Sequence, residues 1–566
     1  MKVLNIIFII SAMVILAACS DMFAPNPEEP ANQFQLDRVL NDPSFAEGIM
    51  LRAYIEIPED YDFTSVATDD AVTNEVTNEY RRMATGEWSA IYNPITEWDK
   101  YDEIFHLNYF ISVVDDVNWS WRSEKAKELF ASRFRGEALA LRAYHNFMIL
   151  QHHAGLGANE QMLGIPLVEQ VLNSEDNWEL PRSTFQESID FIYNDIDQAL
   201  ELLPETWQDF ADPDSLRVYG TQNINRIDGK ILKALRTRVA LLDASPAYNS
   251  GDYDLNKSAK AAELTAPLLV EIGGASGLPS GGLKFYDKDN DINNAEILWR
   301  SRFFESRELE QDNFPPSLFG RGRVNPTQNL VDAFPMANGY PISAVESGYD
   351  PENPYEGRDP RLTEYVVFNG NELKGDSILT GVDGGKDGLN NTIESTRTGY
   401  YLKKLLRTDV NVTPGQMNRR RHFKTYVRFT ELFLNYAEMA NEAWGPDADP
   451  NGYGFTARDI IAAIRERAGI DPADPYLASI TNQQEMRELI RNERRIELSF
   501  EGFRFWDLRR WDAPISIPAT GVRIINNSNY EEFEVERRAY EPFMIYGPIP
   551  QQETIRYTGL IQNKGY

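Results

Sequence analysis

The stretch that decides the fold runs over residues 486–511, MRELIRNERRIELSFEGFRFWDLRRW. Read as a helix to Phe500, it sets Met486, Ile490, Glu493, Ile496 and Phe500 on one face, the three- and four-residue recurrence of an amphipathic helix. Glu493 interrupts that apolar stripe, and a buried carboxylate must be paired. Gly502 breaks the helix and begins an aromatic, arginine-rich return. Arg504 and Arg509 are therefore the expected partners of Glu493 in a structural ion-pair clamp. A catalytic role for Glu493 has less in its favour, because buried acids in ion-pair networks outnumber those in active sites.

Working outward, further helices pair with this one. Residues 427–444 carry a stripe of Phe429, Phe433, Tyr436, Ala440 and Ala443, and helices are expected over 456–468 and 481–500, where Thr481 and Gln484 suit a capping box. Toward the N-terminus, helices are expected over 34–57, 101–119 and 123–153, the last with Ala140, Ala143, Phe147, Leu150 and Ala154 on one face. Ser183 and Gln186 suit a second capping box for a helix ended by Pro204, and 227–242 and 259–272 follow. Residues 59–98 are turn-rich and aromatic, and residues 273–417 are rich in Gly, Pro and Asn, with short strands expected over 296–303 and 364–368. The pattern predicts a mainly α fold: an alpha-alpha superhelix of tetratricopeptide-like helix pairs with a large irregular, loop-rich insertion. It rests on helix pairing alone, since the consensus repeat signature is absent.

The 566 residues carry 87 acids against 56 bases, a net charge of −31. Such a surface repels phosphate backbones, so no nucleic-acid partner is expected. With 27 Tyr, 29 Phe and 10 Trp the chain is well supplied with flat apolar faces for packing and for ligand stacking. Residues 3–18 are almost wholly apolar, too short for a comfortable membrane span, and lead into Leu16-Ala17-Ala18-Cys19. That pattern is similar to a bacterial lipoprotein signal, in which the cysteine becomes the lipidated mature N-terminus. Residues 1–18 are therefore expected to be a signal peptide, Cys19 the lipidation site, and 19–32 a flexible tether. Cys19 is the one cysteine, which leaves no disulfide framework and no cysteine-based metal site.

Several motifs now combine. Arg491-Asn492-Glu493-Arg494-Arg495, Glu501-Gly502-Phe503-Arg504 and Asp507-Leu508-Arg509-Arg510-Trp511 closely resemble the C-terminal signature of the SusD/RagB family. Gly136-Glu137-Ala138 with Leu141-Arg142-Ala143-Tyr144, Pro326-Thr327-Gln328-Asn329-Leu330, Arg358-Asp359-Pro360-Arg361 and Tyr436-Ala437-Glu438 also fit, in order along nearly the whole chain. The family comprises outer-membrane lipoproteins of the Bacteroidota that capture nutrients at the cell surface. The resemblance implies a SusD-like fold and a non-catalytic binding lid for a SusC-like TonB-dependent beta-barrel transporter. The implied ligand is a glycan, with peptide or glycoprotein-glycan capture as the alternative and a surface glycosidase as a remoter one. It divides the mature chain into an N-terminal SusD-like helical part (33–272), the irregular middle (273–417) and a C-terminal SusD/RagB part (418–566).

Sugar recognition needs aromatic faces for the apolar side of the ring and polar side chains for its hydroxyls. The resemblance places ligand contacts before the first long helix pair and in the irregular middle. It points to Arg81, Trp88, Tyr92, Asn93 and Trp98, and more loosely to Phe303, Phe314 and Phe319. No cofactor is expected, with one reservation. Asp447, Asp449 and Asn451 match the opening of a calcium loop, although Arg458 stands where a bidentate glutamate is required; an inter-helix turn is the alternative. The acidic run over 287–291 offers oxygen ligands but lacks the loop glycine. His145, His152 and His153 are read as packing and surface positions rather than metal ligands. No nucleophile elbow, phosphate-cradling loop or dinucleotide fingerprint is present.

Overall fold

The computed structural model describes residues 30–173, 175–287, 294–526 and 528–566. Expectations for the signal peptide, for Cys19, for most of the tether and for most of the acidic run at 287–291 lie outside these residues. The first helix, α1 (Pro30–Asn41), begins inside the last three residues of the expected tether. The single helix expected over 34–57 is two, because Asp42 accepts the Phe45 amide and Pro43 starts α2 (Pro43–Ile55) at its first turn. The array continues with α3 (Tyr101–Val113), α4 (Glu124–His153), α5 (Phe185–Leu202), α6 (Gly229–Ala244) and α7 (Leu255–Glu271). It resumes with α8 (Phe429–Trp444), α9 (Ala457–Ala468), α10 (Gln483–Glu497), α11 (Phe503–Arg510) and α12 (Gln551–Arg556).

Side-chain caps fix where these helices start. Ser123 caps α4 and Asp228 caps α6. On α5 the capping box forms one residue later than expected, between Thr184 and Glu187, because Ser183 Oγ is spent on the Ile165 carbonyl. On α10 the cap is Asn482, which accepts the Glu485 amide, not Thr481. Sequential neighbours pack together: α4 on α5, α6 on α7, α7 on α8, and α8 on both α9 and α10. Fully buried Ala138, Ala140 and Ala143 on α4 allow close helix approach. The result is the expected mainly α superhelical array, with one continuous core running from Val39 to Leu498.

The irregular middle has a core of its own, built on Phe285, Phe314, Leu330, Val331, Phe334 and Tyr365 and closed by Ile496 and Phe500. Short antiparallel ladders stitch it to the flanking parts. In chain order these are β1 (Ala71–Thr73), β2 (Ile297–Arg300), β3 (Phe304–Ser306), β4 (Val324–Pro326), β5 (Arg420–His422) and β6 (Thr425–Arg428), followed by the hairpin β7 (Ala519–Ile525) and β8 (Asn529–Glu536). β1 pairs with β4, setting Val72 opposite Asn325; β3 pairs with β5, setting Phe304 opposite His422; β2 pairs with β6. The three expected parts are thus interleaved by strands. Within the strand expected over 364–368, Val366–Val367 is extended, while Glu364 and Tyr365 close the short helix Pro360–Tyr365.

The opening stretch forms the expected clamp with different partners. Glu493 is fully buried, and its carboxylate meets Arg465 at 2.6 Å and Arg361 at 2.9 Å. Arg504 instead reaches Asp69 at 2.9 Å, and Arg509 lies 3.4 Å over the Phe505 ring and donates to the Phe505 carbonyl. The geometry of the turn explains the difference. Phe500 (φ 65°) and Gly502 (φ 88°) are left-handed, so the chain swings α11 toward β1 rather than back along α10. Facing Glu493 is α9, which supplies Arg465.

Candidate ligand-binding clefts

Two clefts of different character face solvent, and they share no lining residue. The first, of about 350 Å³, lies between the segment after α2 and the strands β3, β4 and β5. Its aromatic lining is Tyr61, Phe63, Tyr80, Phe304 and Phe423, all half-buried, and all but Phe304 pack on the core of the irregular middle. Local structure puts each ring there. Asp62 accepts the Thr64 amide and turns the chain between Tyr61 and Phe63. Asn78 caps the short helix Glu79–Arg82 that carries Tyr80. The β3–β5 register brings Phe304 alongside His422, ring centroids 6.1 Å apart, next to Phe423.

Polar groups surround these rings. Glu59, Asp60, Asp62, Glu75, Glu308 and Asp312 supply carboxylates, while Arg323, Asn78 and Asn313 supply donors. Burial raises the Asp62 carboxyl above the usual range against the opposing charge of Lys424. Burial and Asp62 together raise the Tyr80 phenol, which keeps it a neutral donor. His422 Nε2 donates to Glu310 Oε1, 3.0 Å away, and Nδ1 donates to the Arg420 carbonyl at 2.8 Å. Burial would depress this imidazole, but the hydrogen bond and charge of Glu310 outweigh it and raise the pKa. Flat apolar faces ringed by acceptors and a few donors suit a polyhydroxylated ring, and the excess of acids disfavours a polyanion.

Among the five residues singled out from the sequence, none lines this cleft. Trp88 is 3% exposed, held edge-on by Phe505, Tyr540 and Tyr566 at 6.0–6.1 Å, and its indole donates to Asn93 Oδ1 at 2.9 Å. It is core, and Asn93 is its partner. Arg81 is ion-paired with Glu536 on β8, and Tyr92 lies under the Arg82 guanidinium at 4.5 Å. Trp98 lines the second cleft. Of the looser candidates, Phe314 is fully buried, Phe303 is covered by Arg300 at 3.7 Å, and Phe319 is half exposed over a different depression beside Met417. Of the residues expected from the sequence, Trp98 alone lines either cleft. Tyr61, Tyr80 and Phe304, which line the first, were not singled out, because nothing in an irregular stretch assigns a ring to the core or to the surface before its strand partner is known.

Among the described residues, no group of three or more His, Cys, Asp or Glu side chains is placed to hold a metal ion. The side chains of the possible calcium loop have protein partners. Arg458 takes both oxygens of Asp447 at 2.5 and 3.0 Å, Asp449 accepts the Tyr453 and Gly454 amides, and Asn451 donates to Glu263. The guanidinium stands where a calcium loop needs its last carboxylate. His145, His152 and His153 are all buried, bonded to the carbonyls of Ala53, Met148 and Pro548. Burial lowers them to about 4, 4 and 3, so they are neutral packing groups and none is a surface position.

Fold and clefts together describe a helical-repeat scaffold with two aromatic-lined clefts. The SusD family model matches residues 289–566, and a model described as "Starch-binding associating with outer membrane" matches residues 39–221. The chain belongs to the SusD/RagB family. It is 26% identical over 285 residues to SusD-like protein P25 of Formosa agariphila, a match covering 47% of this chain and 47% of P25, so the chain spans about half the length of that relative. A SusD-like carbohydrate binding protein from Bacteroides fragilis superposes with a TM-score of 0.71 at 22% identity, over 92% of this chain and 100% of that one. A laminarin binding SusD-like protein superposes with a TM-score of 0.55 at 18% identity, over 94% of this chain and 99% of that one. At these identities the structural likeness speaks for the fold. No helix among the described residues is long and apolar enough to cross a membrane.

Proposed function

We propose that this protein captures a glycan at the cell surface and delivers it to a SusC-like TonB-dependent beta-barrel transporter, without catalysing a reaction on it. The observation that carries the reading is the first cleft, where Tyr61, Phe63, Tyr80, Phe304 and Phe423 stand half-buried inside a ring of carboxylates and amides. Names of relatives support the ligand class: one is called carbohydrate binding and another laminarin binding. The name of the matching N-terminal family model supports association with the outer membrane. In this reading Cys19 bears the lipid and residues after it tether the body to the outer leaflet.

Native gels cast with single polysaccharides test the ligand class. Soluble starch, laminarin, xylan and mannan each go into one gel, and the mobility of the wild type is compared with that of Phe304→Ala. Retardation by at least one polymer, reduced several-fold in Phe304→Ala with an unchanged melting temperature, is the expected result. Free migration in every gel would overturn it, and measurable binding to a peptide library would then favour peptide capture.

A further inference from the structure

The second cleft is larger, about 680 Å³, and lies on the helical array between α3, the loop before α5 and the C-terminal helix α12. Its aromatic lining is Trp98, Tyr101, Phe105, Trp178 and Tyr557. Trp178 is 57% exposed and Phe105 37% exposed, their rings tilted by 30° with centroids 6.4 Å apart. Such exposure of large rings is costly unless something covers them. They are held, not loose. The Trp178 indole donates to the Asn173 carbonyl at 3.0 Å, and the Tyr101 hydroxyl donates to the Pro166 carbonyl at 2.7 Å. Trp98 is fixed edge-on against Tyr101 at 5.2 Å and against the buried His153 at 5.3 Å. A rigid platform of this kind loses little conformational entropy when a flat ligand settles on it.

The rim decides what that ligand is. Asp102, Glu179 and Glu553 line the cleft, and the one arginine there, Arg556, is ion-paired with Glu553 at 2.7 Å. A wholly apolar partner would strip water from these carboxylates without replacing their hydrogen bonds. An anionic ligand would meet net negative charge. A neutral sugar chain offers C–H faces to the rings and hydroxyl donors to the carboxylates, which satisfies both halves of the lining.

We infer that the cleft bounded by Trp98, Phe105, Trp178 and Tyr557 is a second carbohydrate-binding site, and that the protein is built for long neutral polysaccharides rather than short oligosaccharides. The inference rests on the reading that the chain binds glycans. A polymer long enough to span both sites is retained more strongly than by either site alone. A short oligosaccharide occupies one cleft at a time and gains nothing from the other.

The test uses the full chain in native gels containing the four neutral polysaccharides, with Trp178→Ala, Phe304→Ala and the double variant, and melting temperatures as the check on folding. Trp178 is an exposed loop residue, so its truncation is expected to leave the melting temperature unchanged. The expected result is that Trp178→Ala weakens retention of the preferred polymer by about tenfold. It leaves the affinity for a three- or four-sugar fragment bound in the first cleft within twofold, and the double variant migrates freely. If Trp178→Ala and the independent variant Tyr557→Ala both retain wild-type mobility in every gel while Phe304→Ala does not, the second site is overturned and the first stands. If the Trp178 variants lose retention and Phe304→Ala does not, the second site stands and the assignment of the first cleft falls. If the wild type migrates freely in all four gels, both are overturned.

Discussion

Glu493 joins the opening stretch to two other parts of the fold. It is fully buried, and its two oxygens are shared between Arg465 on α9 and Arg361 from the irregular middle. Arg361 in turn meets Asp359 and Glu497, and Glu497 meets Arg428 and Arg467. Burial pushes the Glu497 carboxyl up, but Arg467, Arg428 and Arg361 outweigh it and hold the pKa at about 2, so the group is charged at any physiological pH. A network of this kind contributes little over a well-packed apolar core, yet removing one member leaves an uncompensated buried charge. Glu493→Ala is therefore expected to cost about 3–5 kcal/mol in urea unfolding, with binding by the remaining folded protein unchanged. A loss under about 1 kcal/mol would show that the guanidinium groups find other partners.

At the scale of elements, the β3–β5 ladder both ties the middle to the C-terminal part and forms one wall of the first cleft. His422 on β5 sits at that wall, bonded to Glu310, which also accepts the Arg407 amide. Its pKa is raised above the ordinary 6.5 in the folded state. The stabilisation this gives is fully present below that ordinary value and is lost as the pH rises through the higher, folded-state value. The stability gap between wild type and His422→Gln is thus expected to be largest near pH 6 and to shrink toward pH 9 in paired thermal melts. A gap that stays constant over that range would contradict the protonated pair. Helices were legible in the sequence because their periodicity is local, although both expected caps fell one residue further on, at Thr184 and Asn482. Ladders such as β3–β5 join residues more than a hundred positions apart, and no local signal specifies such a register. That is why Trp88 reads as a sugar platform in sequence and is core in the fold, while Phe304 reads as generic and lines the cleft.

At the scale of the whole molecule, the family signature and the ligand surface lie on different parts of the chain. Residues 486–511 identify the family, yet their charges are spent internally, on Arg465 and Arg361 through Glu493, on Asp69 through Arg504, and on Glu438 through Arg510. The first cleft is lined mostly by irregular segments and short strands, and the second by residues of α3, α12 and the loop before α5. A net charge of −31 disposes the molecule toward neutral ligands and away from polyanions. The central claim is that the first cleft is where a sugar binds. Its most direct test is a crystal structure of the protein soaked with an oligosaccharide cut from whichever polysaccharide retards it most. The account predicts sugar rings stacked on Phe304 and Tyr80, with hydroxyls bonded to the surrounding carboxylates. Sugar density confined to another surface, with this cleft filled only by water at saturating ligand, would contradict it.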